Sequence, residues 1–209
     1  MALTGAGLAA GAYVDGPPPR HTGGFGEPTC AACHFPGSAE PAARLEIRGA
    51  PEAWVPGETY RLTVAVRAPE LGRGGFQLSA RWGGGPCARR QAGTLTAVDG
   101  RAVARADSVS GVVYASHTKA GTEPTGPGRA EWTLEWTAPA APGGRVVLHA
   151  AGNAANGDDS ELGDQIALAE VEMAGPAAGR AYAVAGARNC SAKASGPTAA
   201  PVERRASSS

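Results

Sequence analysis

The chain has 209 residues with 19 basic and 19 acidic side chains, so no global field draws it to nucleic acid or to an anionic membrane surface. Its 31 glycines and 17 prolines, with aromatics at 5%, suit short strands and many turns rather than long helices, and the length holds one sandwich-sized domain with extensions.

Residues 1–14 are apolar and small but lack a basic start; they read as the tail of a signal sequence, with a plain flexible leader as the other reading. No stretch supplies the roughly 18 apolar residues that a membrane helix needs. Residues 15–44 are rich in Pro and Gly and have neither helical nor strand periodicity, which predicts a loop lying against the body. Cys30-Ala31-Ala32-Cys33-His34 stands at its centre. From Leu45 the pattern changes to period two: Tyr60, Leu62, Val64 and Val66 alternate with Arg61, Thr63, Ala65 and Arg67, the mark of a strand with one buried face. Phe76, Leu78, Ala80 and Trp82 repeat it, as do Trp132, Leu134 and Trp136, which sends three tryptophans into one core. Val146, Leu148 and Ala150 give another strand, and shorter ones are expected at 45–48, 94–98, 112–116 and 166–173. Gly72 to Gly75 and Gly83 to Pro86 read as turns. Seven or eight strands without an intervening helix predict an all-β, immunoglobulin-like antiparallel β-sandwich over residues 45–175. Residues 176–209 turn to Ala, Gly, Ser and Arg and read as a disordered, low-complexity tail.

Several pieces in order resemble a family: Gly16-Pro17-Pro18-Pro19 with Arg20-His21-Thr22-Gly23, Glu27-Pro28-Thr29 before the cysteine motif, and Pro56-Gly57-Glu58-Thr59-Tyr60. Gly75-Phe76-Gln77-Leu78, Ser116-His117-Thr118, Trp136-Thr137-Ala138-Pro139 and the run from Ala150 to Gly157 follow. Together they resemble the bacterial Reeler (reelin-domain-like) proteins, also described as choice-of-anchor V domains, over residues 16–173. The resemblance implies a secreted or surface-attached β-sandwich whose N-terminal segment carries C-x-x-C-H, and it supplies a fold more securely than an activity. Two departures stand out: the tail holds no recognisable sorting segment, and His149 replaces an aromatic before Ala150-Ala151-Gly152-Asn153.

C-x-x-C-H is the pattern that tethers haem covalently. Two thiols two residues apart can add to the two vinyl groups of one porphyrin, and the next histidine can then ligate the iron. This reading makes Cys30 and Cys33 the thioether anchors of a covalent haem c and His34 the proximal ligand. His117, at the end of a predicted strand and in the family-like Ser-His-Thr, ranks first as the distal ligand, ahead of His149, which is expected to face solvent, and of His21 and Met173. Glu27 or a carbonyl of the Pro36-Gly37 turn would hold the other nitrogen of His34. The oxygen-rich stretch after the Val146 strand offers Asn156, Asp158, Asp159 and Asp164 to calcium, although tight turns use the same residues and no EF-hand spacing is present. An oxidising compartment would also allow a bridge between Cys87 and Cys190.

No nucleophile elbow, zincin helix or phosphate-binding loop occurs, so catalysis is the minor reading. The sequence therefore predicts an extracytoplasmic mono-haem c-type protein, an electron carrier with an unknown redox partner. The alternative from another class is a surface adhesion module binding a cell-surface ligand, with its C-x-x-C a disulfide or a relic.

Overall fold

A computed structural model describes residues 13–36, 43–141 and 143–176. The period-two segments become nine strands among the described residues: β1 (Arg44–Arg48), β2 (Thr59–Arg67), β3 (Arg73–Trp82), β4 (Thr94–Ala97), β5 (Ala102–Ala106), β6 (Val113–His117), β7 (Arg129–Thr137), β8 (Val146–Ala155) and β9 (Gln165–Met173). They build a four-stranded sheet of order β1-β2-β7-β4 and a five-stranded sheet of order β5-β6-β3-β8-β9. Every neighbouring pair is antiparallel. The chain is thus an all-β antiparallel sandwich, as the alternation predicts.

Alternate residues of facing strands fill the space between the sheets. Leu62, Val64 and Val66 of β2, Trp132, Leu134 and Trp136 of β7, and Phe76, Leu78 and Ala80 of β3 are all buried. Phe76 and Trp132 meet with ring centroids 4.6 Å apart, and each aromatic adds packing energy beyond its large apolar area. Trp82 lies at the margin of this core, edge-on to Trp54 at 5.8 Å.

Several expectations need correction. Trp54, fully buried, comes from a segment without alternation. Strand β5 was not foreseen because Ala102 to Ala106 is small-residue rich and carries no aromatic. Gly74 and Gly75 are not turn residues but lie inside β3; a Cβ at Gly74 would come 2.4 Å from the Ala130 Cβ, so glycine is needed where β3 crosses close to β7. The expected signal-sequence remnant lies outside the described residues except for its last two positions, and the tail lies outside them from residue 177 on.

The largest departure concerns the outer face of the five-stranded sheet. Gln77, Ser79 and Arg81 alternate with the core residues of β3, yet each is buried. The cause is the segment from Tyr13 to Pro36, which lies across this face. The backbone N–H of His21 donates to Gln77 Oε1 at 2.6 Å, and Gln77 Nε2 donates to the Pro18 carbonyl at 2.9 Å. Arg81 Nη2 stands 2.6 Å from Glu27 Oε1, while Tyr114 and Thr22 each donate a hydroxyl hydrogen bond of 2.6 Å to the same carboxylate. The Arg81 guanidinium also lies 5.0 Å from the Phe25 ring centroid. Further out, Arg20 pairs with Asp107 at 2.7 Å.

Candidate functional site

Within the expected loop, residues Cys30–Ala32 form a single 3-10 turn. The Thr29 hydroxyl accepts from the Ala31 N–H, and the N–H groups of Cys33 and His34 both donate to the Cys30 carbonyl. A helical turn sets residues i, i+3 and i+4 on one side, so Cys30, Cys33 and His34 come together by local geometry alone. All three line one cavity of about 100 Å³, bounded also by His21, His117 and Asn153. Neither Cys30 nor Cys33 is bridged. Burial pushes the Cys30 thiol up to about 12, so it is held as a neutral thiol rather than a nucleophilic thiolate.

The loop between β8 and β9 fastens this turn to the sheet. Phe35 N–H donates to the Glu161 carbonyl at 2.7 Å and Gly163 N–H donates to the Phe35 carbonyl at 2.9 Å. That clasp delivers Asp164, fully buried, to His34: the imidazole Nδ1 lies 2.5 Å from Asp164 Oδ2. Asn153 Nδ2 donates to the same Oδ2 at 3.0 Å, and the Asn156 N–H reaches Oδ1 at 3.3 Å. A carboxylate acceptor on Nδ1 fixes the tautomer in which Nε2 carries the lone pair. His34 Nε2 makes no hydrogen bond among the described residues.

The other expected residues are distributed differently. Asp164, expected beside calcium, is hydrogen-bonded to His34, while Asp158 accepts from the Ser160 N–H and from Asn156 Nδ2 within a turn. Among the described residues no three His, Cys, Asp or Glu side chains converge as a metal cluster. Glu27 serves Arg81 instead of His34. Burial pulls the Glu27 carboxyl up, but hydrogen bonds from Thr22 and Tyr114 and the Arg81 charge outweigh it and leave it below its usual range.

His117 does line the cavity, with both ring nitrogens already engaged. Nδ1 accepts from the Phe76 N–H at 3.1 Å and Nε2 donates to the Tyr13 carbonyl at 3.1 Å. Burial holds this imidazole below the usual histidine range. His149, expected to face solvent, is covered by the N-terminal segment: its ring lies 4.9 Å from that of Phe25 and its Nε2 2.8 Å from Glu170 Oε2. Met173 is buried in the core. Cys190 lies outside the described residues, and the bridge considered with Cys87 falls there.

Sequence reasoning missed Asp164 as the partner of His34. The two stand 130 positions apart, and no local pattern connects them.

No family model matches the chain. No curated protein matches it either. Solved structures similar to it include the Reelin-N domain of F-spondin, 22% identical over 69% of this chain and 94% of that one, with a TM-score of 0.44. The reeler domain of human F-spondin is 22% identical over 67% and 94%, with a TM-score of 0.42. A cohesin module from a Clostridium perfringens family 33 glycoside hydrolase is 12% identical over 65% and 97%, with a TM-score of 0.41. Among the described residues no helix is long and apolar enough to cross a membrane.

Proposed function

We propose that this chain is an extracytoplasmic haem protein of c type, built on a Reeler-type sandwich, with electron transfer as its role. The observation that carries the reading is the state of His34: its Nδ1 is tied to a buried carboxylate, its Nε2 makes no hydrogen bond among the described residues, and the residue lines a cavity shared with two unbridged thiols. A proximal ligand needs that division of labour, since the second nitrogen sets ring orientation and raises ligand basicity.

The donor set suits a covalent haem. Each thiol S–H would add across one vinyl C=C, and a neutral, protonated Cys30 is compatible with that addition. Bound there, the group would supply one-electron redox chemistry; the chain supplies position, basicity and shielding. The enclosed volume of about 100 Å³ is well under the roughly 300 Å³ of a cofactor-sized pocket. Cys30 and Cys33 would hold the group by its edge, and a cavity of this size would leave part of it accessible to a partner at the surface.

The test is expression in a host able to mature c-type cytochromes. A Soret band that survives acid-acetone extraction is expected, and it should vanish in Cys30→Ala with Cys33→Ala while the far-UV spectrum of the sandwich persists. A colourless wild-type protein overturns the reading and leaves an adhesion module of Reeler type.

A further inference from the structure

We infer that His21, not His117, is the second axial ligand of the iron, which makes the site a bis-histidine one; the inference rests on the haem reading above. Four histidines are present in the chain. His149 spends Nε2 on Glu170, its Nδ1 is buried without a partner, and it does not line the cavity of the cysteine turn. His117 spends both nitrogens, one on the Phe76 N–H inside the sheet and one on the Tyr13 carbonyl, so ligation through either would cost it a hydrogen bond it already makes.

His21 is built like His34. Its Nδ1 donates to the Pro18 carbonyl at 3.0 Å, with the Pro19 carbonyl at 3.2 Å, and these carbonyls hold the same tautomer that Asp164 imposes on His34. Its Nε2 makes no hydrogen bond among the described residues, and the ring lines the cavity shared with Cys30, Cys33 and His34. The backbone beneath it is fixed as well, because the His21 N–H donates to buried Gln77 at 2.6 Å and Gln77 returns a bond to the Pro18 carbonyl. Two imidazoles that line one cavity, each with Nδ1 held by an acceptor and Nε2 without a hydrogen bond, supply two candidate nitrogen donors. Taken alone, the short sequence distance from His21 to the cysteine turn argues against reach. The fold removes that objection, since the chain runs out and back between them through Gly23, Phe25 and Gly26, all with positive φ.

The test compares haem-loaded wild type, His21→Ala, His117→Ala and His21→Met by ferric electron paramagnetic resonance and optical spectroscopy. Expected are a low-spin bis-imidazole signal in wild type and in His117→Ala, conversion to high spin in His21→Ala with the haem still covalently held, and return to low spin on adding imidazole. His21→Met, which keeps a side chain of similar reach, should show a sulfur-to-iron charge-transfer band in place of the bis-imidazole signature. An unchanged low-spin signal in both His21 variants, or a high-spin wild type, overturns this inference while leaving the haem reading intact. Absence of covalent haem overturns both.

Discussion

The two faces of the five-stranded sheet are buried by different physics. Toward the four-stranded sheet, β3 presents Phe76, Leu78 and Ala80 to an apolar interior closed by Trp132 and Trp136. Away from it, the same strand presents Gln77, Ser79 and Arg81 to a 24-residue segment that spans Tyr13 to Pro36. The first face is stabilised by area and shape, which many sequences could supply. The second depends on named polar partners, because each buried donor or acceptor left unmatched costs about 1–3 kcal/mol. The site follows from that division: only a segment held in register by specific bonds can deliver His21, Cys30, Cys33 and His34 to one cavity.

Emptying the inner face should have the largest effect. Trp132→Ala is expected to cost about 3–5 kcal/mol and to unfold the whole sandwich cooperatively, as a denaturant titration followed by far-UV dichroism would show. Breaking the outer face should act locally first. Arg81→Met strands the Glu27 carboxylate beneath the segment, at a cost of about 3 kcal/mol, and native-state hydrogen exchange should show residues 16–34 losing protection ahead of β3 and β7. Adding Glu27→Leu should recover most of that loss; if the double variant is worse than Arg81→Met, the ion pair is not what fastens the segment.

A smaller effect is expected at the clasp. Asp164→Asn removes a charged acceptor from His34 and should cost about 1.5–3 kcal/mol while keeping the sandwich fold. In haem-loaded protein the reduction potential should rise, since a less basic imidazole stabilises ferric iron less; a potential that falls or does not move contradicts the role given to Asp164.

Acid should produce the mildest and most gradual change. Burial lowers the affinity of His117 and His149 for protons in the folded state, for His149 against the opposing charge of Glu170 and with help from Arg81. The unfolded chain then binds more protons below the ordinary value of 6.5, so the contribution of both groups declines as pH falls from there through their folded values. Glu27 adds to the decline at lower pH, where its depressed carboxyl is finally protonated. Melting temperature should therefore be flat near neutrality and drop below about pH 6.5, with the N-terminal segment loosening before the core; a rise on acidification would reverse the sign argued here.

The legible parts of the molecule were those governed by local periodicity. Alternation in β2, β3, β7 and β8 announced the strands and named the core, because a side chain on a pleated strand has only two directions to point. The motif from Cys30 to His34 was legible for a similar reason: one turn of chain suffices to bring its three groups together.

Whatever depends on distant segments was not legible. Alternation puts Gln77 and Arg81 on the face of β3 away from the core and is silent about what covers that face. Asp164 looked like part of an acidic loop, and its meaning changes only when Phe35 pairs with Leu162 and the loop closes on the cysteine turn. His117 ranks first by sequence, yet the fold spends both its nitrogens, while His21, ranked behind it, comes to line the same cavity.

The sequence by itself determined an all-strand body, its apolar interior and a two-thiol, one-imidazole turn, since each rests on geometry repeated within a few residues. Only the tertiary structure decided which face the N-terminal segment covers and which carboxylate orients His34, because hydrogen bonds between residues tens to over a hundred positions apart exist only once the chain has closed.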